Sequence, residues 1–178
     1  QLLLHYQPQF ELRTGRLAAV EALLRWRHPQ LGLIPPSDFV PVAEESGLIS
    51  PIGDWVLRKA CRQARIWTDA AGYPLRVAVN VSCLQFAQAG FVERVAQILH
   101  EAAVDPPLVE LELTESQVMK HLDESAATMR RLRDVGVRLS IDDFGTGYSS
   151  LSYLQRLPID SLKIDQSFVR ELSSSPKA

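Results

Sequence analysis

Four segments of this chain alternate aliphatic and polar residues, and that alternation limits its fold more than any other feature. Val77, Val79 and Val81 oppose Ala78 and Asn80, and Val109, Leu111 and Leu113 oppose Glu110 and Glu112. Val137, Leu139 and Ile141 oppose Arg138, Ser140 and Asp142, while Leu162 and Ile164 oppose Ser161, Lys163 and Asp165. A period of two is the strand repeat. With two earlier apolar runs, the expected strands are residues 2–7, 17–24, 76–81, 108–113, 137–141 and 161–165.

Helical patterns lie between them. Leu57, Ala60, Cys61, Ala64 and Trp67 share one stripe of a helix expected over residues 54–67, and Phe91, Val95, Ile98 and Ala102 share another. Thr114 to Gln117 has capping-box spacing, Asp123 is placed to cap a helix running to Val135, and Gly136 is placed to close it. Strands alternating with helices indicate an α/β fold with a parallel sheet, either an open doubly wound sheet or a barrel. A purely structural parallel strand is apolar on both faces. Polar residues on one face of four strands therefore favour a barrel, with helices outside and functional groups where the strands end.

The chain has 178 residues, 46% of them hydrophobic, enough for one domain with a substantial core. A net charge of −2 excludes a charge-driven disordered chain and gives no support for a binder of nucleic-acid polymers. Cys61 and Cys83 have no metal or redox spacing and read as buried free thiols, which suits the cytoplasm. No apolar run is long enough to span a membrane and no signal peptide precedes the first strand. The sequence starts inside a strand without Met, so it reads as a domain of a longer protein that could itself be membrane-anchored.

The chemistry-bearing residues are Glu21, Asn80, Glu112, Asp142, Asp143 and Lys163, at or near the ends of five different strands. Taken singly, Asn80 or Asp142 is an ordinary turn former and Glu21 an ordinary ion-pair partner. Taken together, four acids against one lysine repel one another and call for a cation. Oxygen donors favour a hard ion, Mg²⁺ or Mn²⁺, and His5, His28, His100 and His121 lack zinc-ligand spacing. The adjacent Asp142 and Asp143 could bridge two ions, as an in-line phosphoryl displacement requires. After them, Gly145 and Gly147 permit a tight strand-to-helix loop in which Ser149 can start a helix.

Tyr6-Gln7-Pro8, Glu21-Ala22-Leu23-Leu24-Arg25-Trp26, Asn80-Val81-Ser82, Glu112-Leu113-Thr114-Glu115-Ser116, the run from Asp142 to Ser150 and Leu162-Lys163-Ile164-Asp165 stand in the order of one family. Together they resemble the EAL family of cyclic di-GMP phosphodiesterases. The resemblance implies a TIM-like (βα) barrel with an irregular first strand, about six of its eight strands being present here. It implies that Glu21, Asn80, Glu112 and Asp142 ligate a first metal, and that Asp142 and Asp143 serve a second. Lys163 would hold the attacking water, Glu115 would brace the loop after Asp143, and Gln7, Leu24, Arg25 and Asn80 would contact substrate. The implied reaction is hydrolysis of cyclic di-GMP to linear pGpG, in a parent chain carrying sensor or GGDEF-type domains. The family's remaining strands, with a further catalytic glutamate and a substrate-side glutamine, would follow Ala178, so the chain alone is expected to be unstable or inactive.

Three other readings compete. A non-catalytic cyclic di-GMP receptor would typically have lost metal ligands, yet every checkable ligand position is filled. An enolase-like barrel would use Mg²⁺ and a lysine base on a carboxylate substrate, which Asn80 and the full motif set disfavour. The stretch from Ile34 to Pro41 offers apolar surface for a homodimer, and a capped helix packed on the barrel accounts for it equally well.

Overall fold

The computed structural model describes residues 1–145, 151–168 and 170, without the side chains of 151 and 152. The chain opens with three strands, β1 (Leu2–Phe10), β2 (Leu17–His28) and β3 (Gly32–Ile34), then the helices α1 (Pro36–Glu45) and α2 (Ile49–Ala71). Next come β4 (Arg76–Asn80), α3 (Cys83–Phe86), α4 (Phe91–Ala102), a 3₁₀ turn at Pro106–Leu108, β5 (Val109–Thr114), α5 (Glu115–Met119) and α6 (Leu122–Val135). The described chain continues with β6 (Arg138–Phe144), α7 (Leu151–Leu154) and β7 (Ser161–Ile164).

The strands form one sheet in the order β1-β2-β4-β5-β6-β7, with β3 paired to β2 off this path. From β2 to β7 every pair is parallel, whereas β1 and β3 run antiparallel to β2. The reversed first strand departs from the parallel pattern and agrees with the resemblance. Nothing in an alternating apolar run encodes direction, and β1 reverses because only a short turn separates it from β2.

The sheet is strongly curled, as one contact proves. Lys163 on β7 lies 3.1 Å from Glu21 on β2, four strands away. In a flat sheet four spacings amount to about 19 Å, beyond the joint reach of a lysine and a glutamate. The strands must therefore wrap so that their polar faces converge, which is the barrel geometry expected from the face pattern.

The opposite faces carry the core. Val77, Val79, Val109, Leu111, Leu113, Leu139 and Ile141 are buried beneath Leu57, Ala60 and Ala64 of α2, Val95 and Ile98 of α4, and Met129 and Leu132 of α6. Truncating Leu111 to Ala costs about 2–5 kcal/mol at such a site. Helix α2 is longer than the expected 54–67, because Pro51 and Gly53 fall in its first turns rather than before it. At Gly53 a Cβ would fall 1.8 Å from the Gln85 amide, so any larger residue there would have to displace that side chain.

Two further local expectations are corrected, the cap of α6 and the burial of Cys83. Asp123 lies in the first turn of α6 and does not cap it; the N-cap is His121. Both cysteines are free as expected, but only Cys61 is buried and Cys83 is exposed. The proline-rich stretch forms α1 with Pro36 in its first turn, burying Phe39 and Ala43 and leaving Val42 exposed. Gly136 does close α6, at φ +101°.

Candidate active site

Glu21, in the first half of β2, converges with polar positions toward the C-terminal ends of β4, β5, β6 and β7. Glu21, Glu112 and Asp142 each offer a carboxylate oxygen within 4.8 Å of the other two. At that spacing each like-charge pair costs roughly 3–4 kcal/mol at an effective dielectric of about 20. Lys163 relieves part of this. Its Nζ donates to Glu112 Oε2 at 2.8 Å, Asp142 Oδ2 at 3.0 Å and Glu21 Oε2 at 3.1 Å. The Asn80 amide donates to the other Glu21 oxygen at 2.9 Å, so all five residues form one connected cluster.

Burial grades the cluster from floor to rim. Glu112 is only 2% exposed, Glu21 and Asp142 are half-buried, and Asn80 and Asp143 face outward. The Glu112 carboxyl is raised to about 8, chiefly by burial, with Lys163 pulling it down and the charges of Glu21 and Asp142 pushing it up. Burial by itself would lower the Lys163 ammonium, but Glu112, Asp142 and Glu21 outweigh it and hold Lys163 above the ordinary lysine value.

Asp143 sits where β6 turns over. Its backbone lies in the left-handed region at φ +54°, and its N–H donates to Asp142 Oδ1 at 3.0 Å. Partial burial, then the charges of Asp142 and Asp165, raise its carboxyl above the usual range. Two residues on, Gly145 donates its N–H to Glu115 Oε2 at 2.9 Å, and Tyr153 donates its hydroxyl to Glu115 Oε1 at 2.7 Å. Thr114, just before Glu115, donates its N–H to Gln117 Oε1 at 3.3 Å, the back-bond of the expected capping box.

The donor set suits a hard divalent ion. Glu21, Glu112 and Asp142 present carboxylate oxygens to one another, with Asn80 bonded to Glu21 beside them, and four acids outnumber the one lysine. The remaining expected substrate contacts lie on the strands beside this cluster. Gln7 on β1 is the register partner of Glu21, so it shares that face, and it is exposed. Arg25 follows Glu21 by four strand positions on the same face and donates to the Leu24 carbonyl at 2.7 Å. Leu24 turns the other way, against the hydrophobic core. Residues 146–150 of the glycine-bearing loop, Gly147 and Ser149 among them, lie outside the described residues.

All 178 residues match the family model described as "EAL domain". The chain belongs to the EAL domain family. Its EAL sequence is 52% identical over 173 residues, 97% of the chain, to the bifunctional diguanylate cyclase/cyclic di-GMP phosphodiesterase MucR of Pseudomonas aeruginosa. It is 47% identical over 177 residues, 99% of the chain, to the cyclic di-GMP phosphodiesterase NbdA of the same organism. It spans 25% and 23% of those two proteins. Among solved structures, the PaMucR phosphodiesterase in complex with c-di-GMP is 51% identical with a TM-score of 0.94, over 99% of this EAL chain and 72% of that one. EAL structures are TIM-like barrels, in agreement with the curled sheet and its outer helices.

Three features were not read from the sequence. Lys163 bridges three acids directly, although its place on the polar face of β7 was evident. Asp165 reaches Asp143 electrostatically, a consequence of sharing the Lys163 face. Tyr153 pairs with Glu115 across 38 residues, for which no local pattern exists.

Proposed function

We propose that this EAL domain hydrolyses cyclic di-GMP to linear pGpG with the help of two divalent ions, Mg²⁺ or Mn²⁺. The observation that carries the reading is the convergence of Glu21, Glu112 and Asp142 around Lys163. The names of the relatives MucR and NbdA and the c-di-GMP complex of PaMucR support the substrate.

Glu21, Asn80, Glu112 and Asp142 would hold the first ion, and Asp142 with Asp143 the second. Bound there, the ions would supply Lewis-acid stabilisation of charge on the attacking and leaving oxygens. Lys163, held protonated by its acids, would orient the attacking water by donating to its oxygen. The water oxygen forms the new bond to phosphorus, the bond to the 3′ oxygen breaks, and the phosphate stays on the 5′ side of pGpG. Arg25 would neutralise a phosphate oxygen, while Gln7 would line the path of the substrate and Leu24, packed against the core, would hold the strand that carries Arg25. Glu115 would hold the turn after Asp143 through the Gly145 amide.

The test is turnover to pGpG by the natural protein that carries this chain, alongside binding measured by calorimetry. Hydrolysis that requires Mg²⁺ or Mn²⁺ and is lost in Glu21→Ala supports the reading. Tight binding with no product under either ion would replace it with a cyclic di-GMP receptor.

A further inference from the structure

Asp143 occupies the left-handed backbone region, at φ +54°, which side chains other than glycine, asparagine and aspartate seldom enter. Such a conformation persists only where its surroundings over-determine it. One restraint is local, the Asp143 N–H on Asp142. The other acts two residues later, where Gly145 at φ +99° gives its N–H to Glu115 and packs its Cα against Phe168, so closely that a Cβ would come within 2.5 Å of the ring.

Glu115 can act as that anchor only if its own rotamer is held. It is 3% exposed at the start of the five-residue α5, and a carboxylate so placed needs its oxygens satisfied. One oxygen takes the Gly145 amide and the other takes the Tyr153 hydroxyl. Tyr153 is well suited to hold it, being 6% exposed with its ring in the main core cluster. The ring is held by packing, and its hydroxyl donates to Glu115.

We infer that Tyr153 is a positioning residue: its hydroxyl fixes Glu115, and Glu115 fixes the Gly145 turn that sets where the Asp143 carboxylate stands. Buried in the core cluster, Tyr153 would act through Glu115. Where it concerns turnover, the inference rests on the phosphodiesterase reading above.

Tyr153→Phe removes the hydroxyl and keeps the ring. In the natural protein, three quantities are compared with wild type: exchange of the Gly145 amide, Mn²⁺ affinity by calorimetry, and kcat and KM for cyclic di-GMP. Faster Gly145 exchange is expected, with Mn²⁺ affinity and kcat each lower by about tenfold, as for other residues that orient a metal ligand, and KM little changed. Glu115→Gln should show the same pattern, and adding Tyr153→Phe to it should cost little more, since the two act as one unit. A lower Tm with unchanged Gly145 exchange, Mn²⁺ affinity and kcat would reduce Tyr153 to packing and overturn the inference. If wild type neither hydrolyses cyclic di-GMP nor binds Mn²⁺, the functional reading fails, and the Gly145 exchange decides the positioning by itself.

Discussion

The polar face of the curled sheet carries two layers of charge, and they are built to opposite rules. Toward the strand N-termini, Glu110 lies 3.8 Å from both Arg76 and Arg138 and accepts from the Ser161 hydroxyl at 2.5 Å. Asp160 lies 3.9 Å from Arg138 and accepts the Leu139 N–H at 2.9 Å. Two arginines there meet two acids, and the layer balances without help. Further along the same strands, two positions beyond Glu110 and Ser161 and four beyond Arg138, Glu112, Lys163 and Asp142 belong to a layer in which Glu21, Glu112, Asp142 and Asp143 outnumber one lysine. The lower layer has the composition of a structural network; the upper one is short of positive charge, the condition that a metal-dependent site creates.

The sharpest way to break this comparison is to remove one carboxylate from each layer. Glu21→Ala should abolish turnover while leaving the fold, as judged by Tm, close to wild type. The next effect is on metal affinity. Glu112, raised to about 8, must release its proton to take an ion, so Mn²⁺ affinity should rise by about tenfold per pH unit between about 6 and 8, then flatten. Calorimetry in buffers of differing ionisation heat would count the released proton. A flat profile would mean that Glu112 is already ionised.

Without metal the linkage runs the other way. The folded chain keeps on Glu112 a proton that the unfolded chain, at the ordinary 4.5, has released. That contribution to stability is fully present below about 4.5 and is lost as pH rises toward about 8. Denaturant midpoints of metal-free protein should therefore fall across that window, and saturating Mn²⁺ should cancel the fall. The smallest effect belongs to the lower layer. Glu110→Gln should cost about 1–3 kcal/mol of stability by leaving two arginines under-compensated, with turnover and Mn²⁺ affinity intact. A loss of activity at constant stability in that variant would erase the distinction between the layers.

Much of this was legible in the sequence because the barrel imposes a period of two on every strand. Polar residues at Asn80, Glu112, Asp142 and Lys163, each among aliphatics, have one face to share, and strand ends bring them together. The same pattern overstated the functional surface. Arg76, Glu110, Arg138 and Ser161 lie on that polar face too, yet they close among themselves below the site. Periodicity reports which face a residue occupies, not its height along the strand. Strand direction was illegible for a similar reason, so the reversal of β1 came only through the resemblance. The three-residue β3 is too short to show alternation, and the helix expected from Asp54 begins instead at Ile49, with Pro51 in its first turn, where proline is tolerated. The Tyr153–Glu115 pair depends on tertiary packing alone.

One measurement tests the central claim most directly: pGpG production by metal-stripped natural protein before and after addition of Mg²⁺ or Mn²⁺. The account predicts no product from the stripped protein, full restoration by either ion, and no restoration in Glu21→Ala. Undiminished hydrolysis in the presence of a strong chelator would contradict it, because the upper layer would then be doing its chemistry with Lys163 as its one cation.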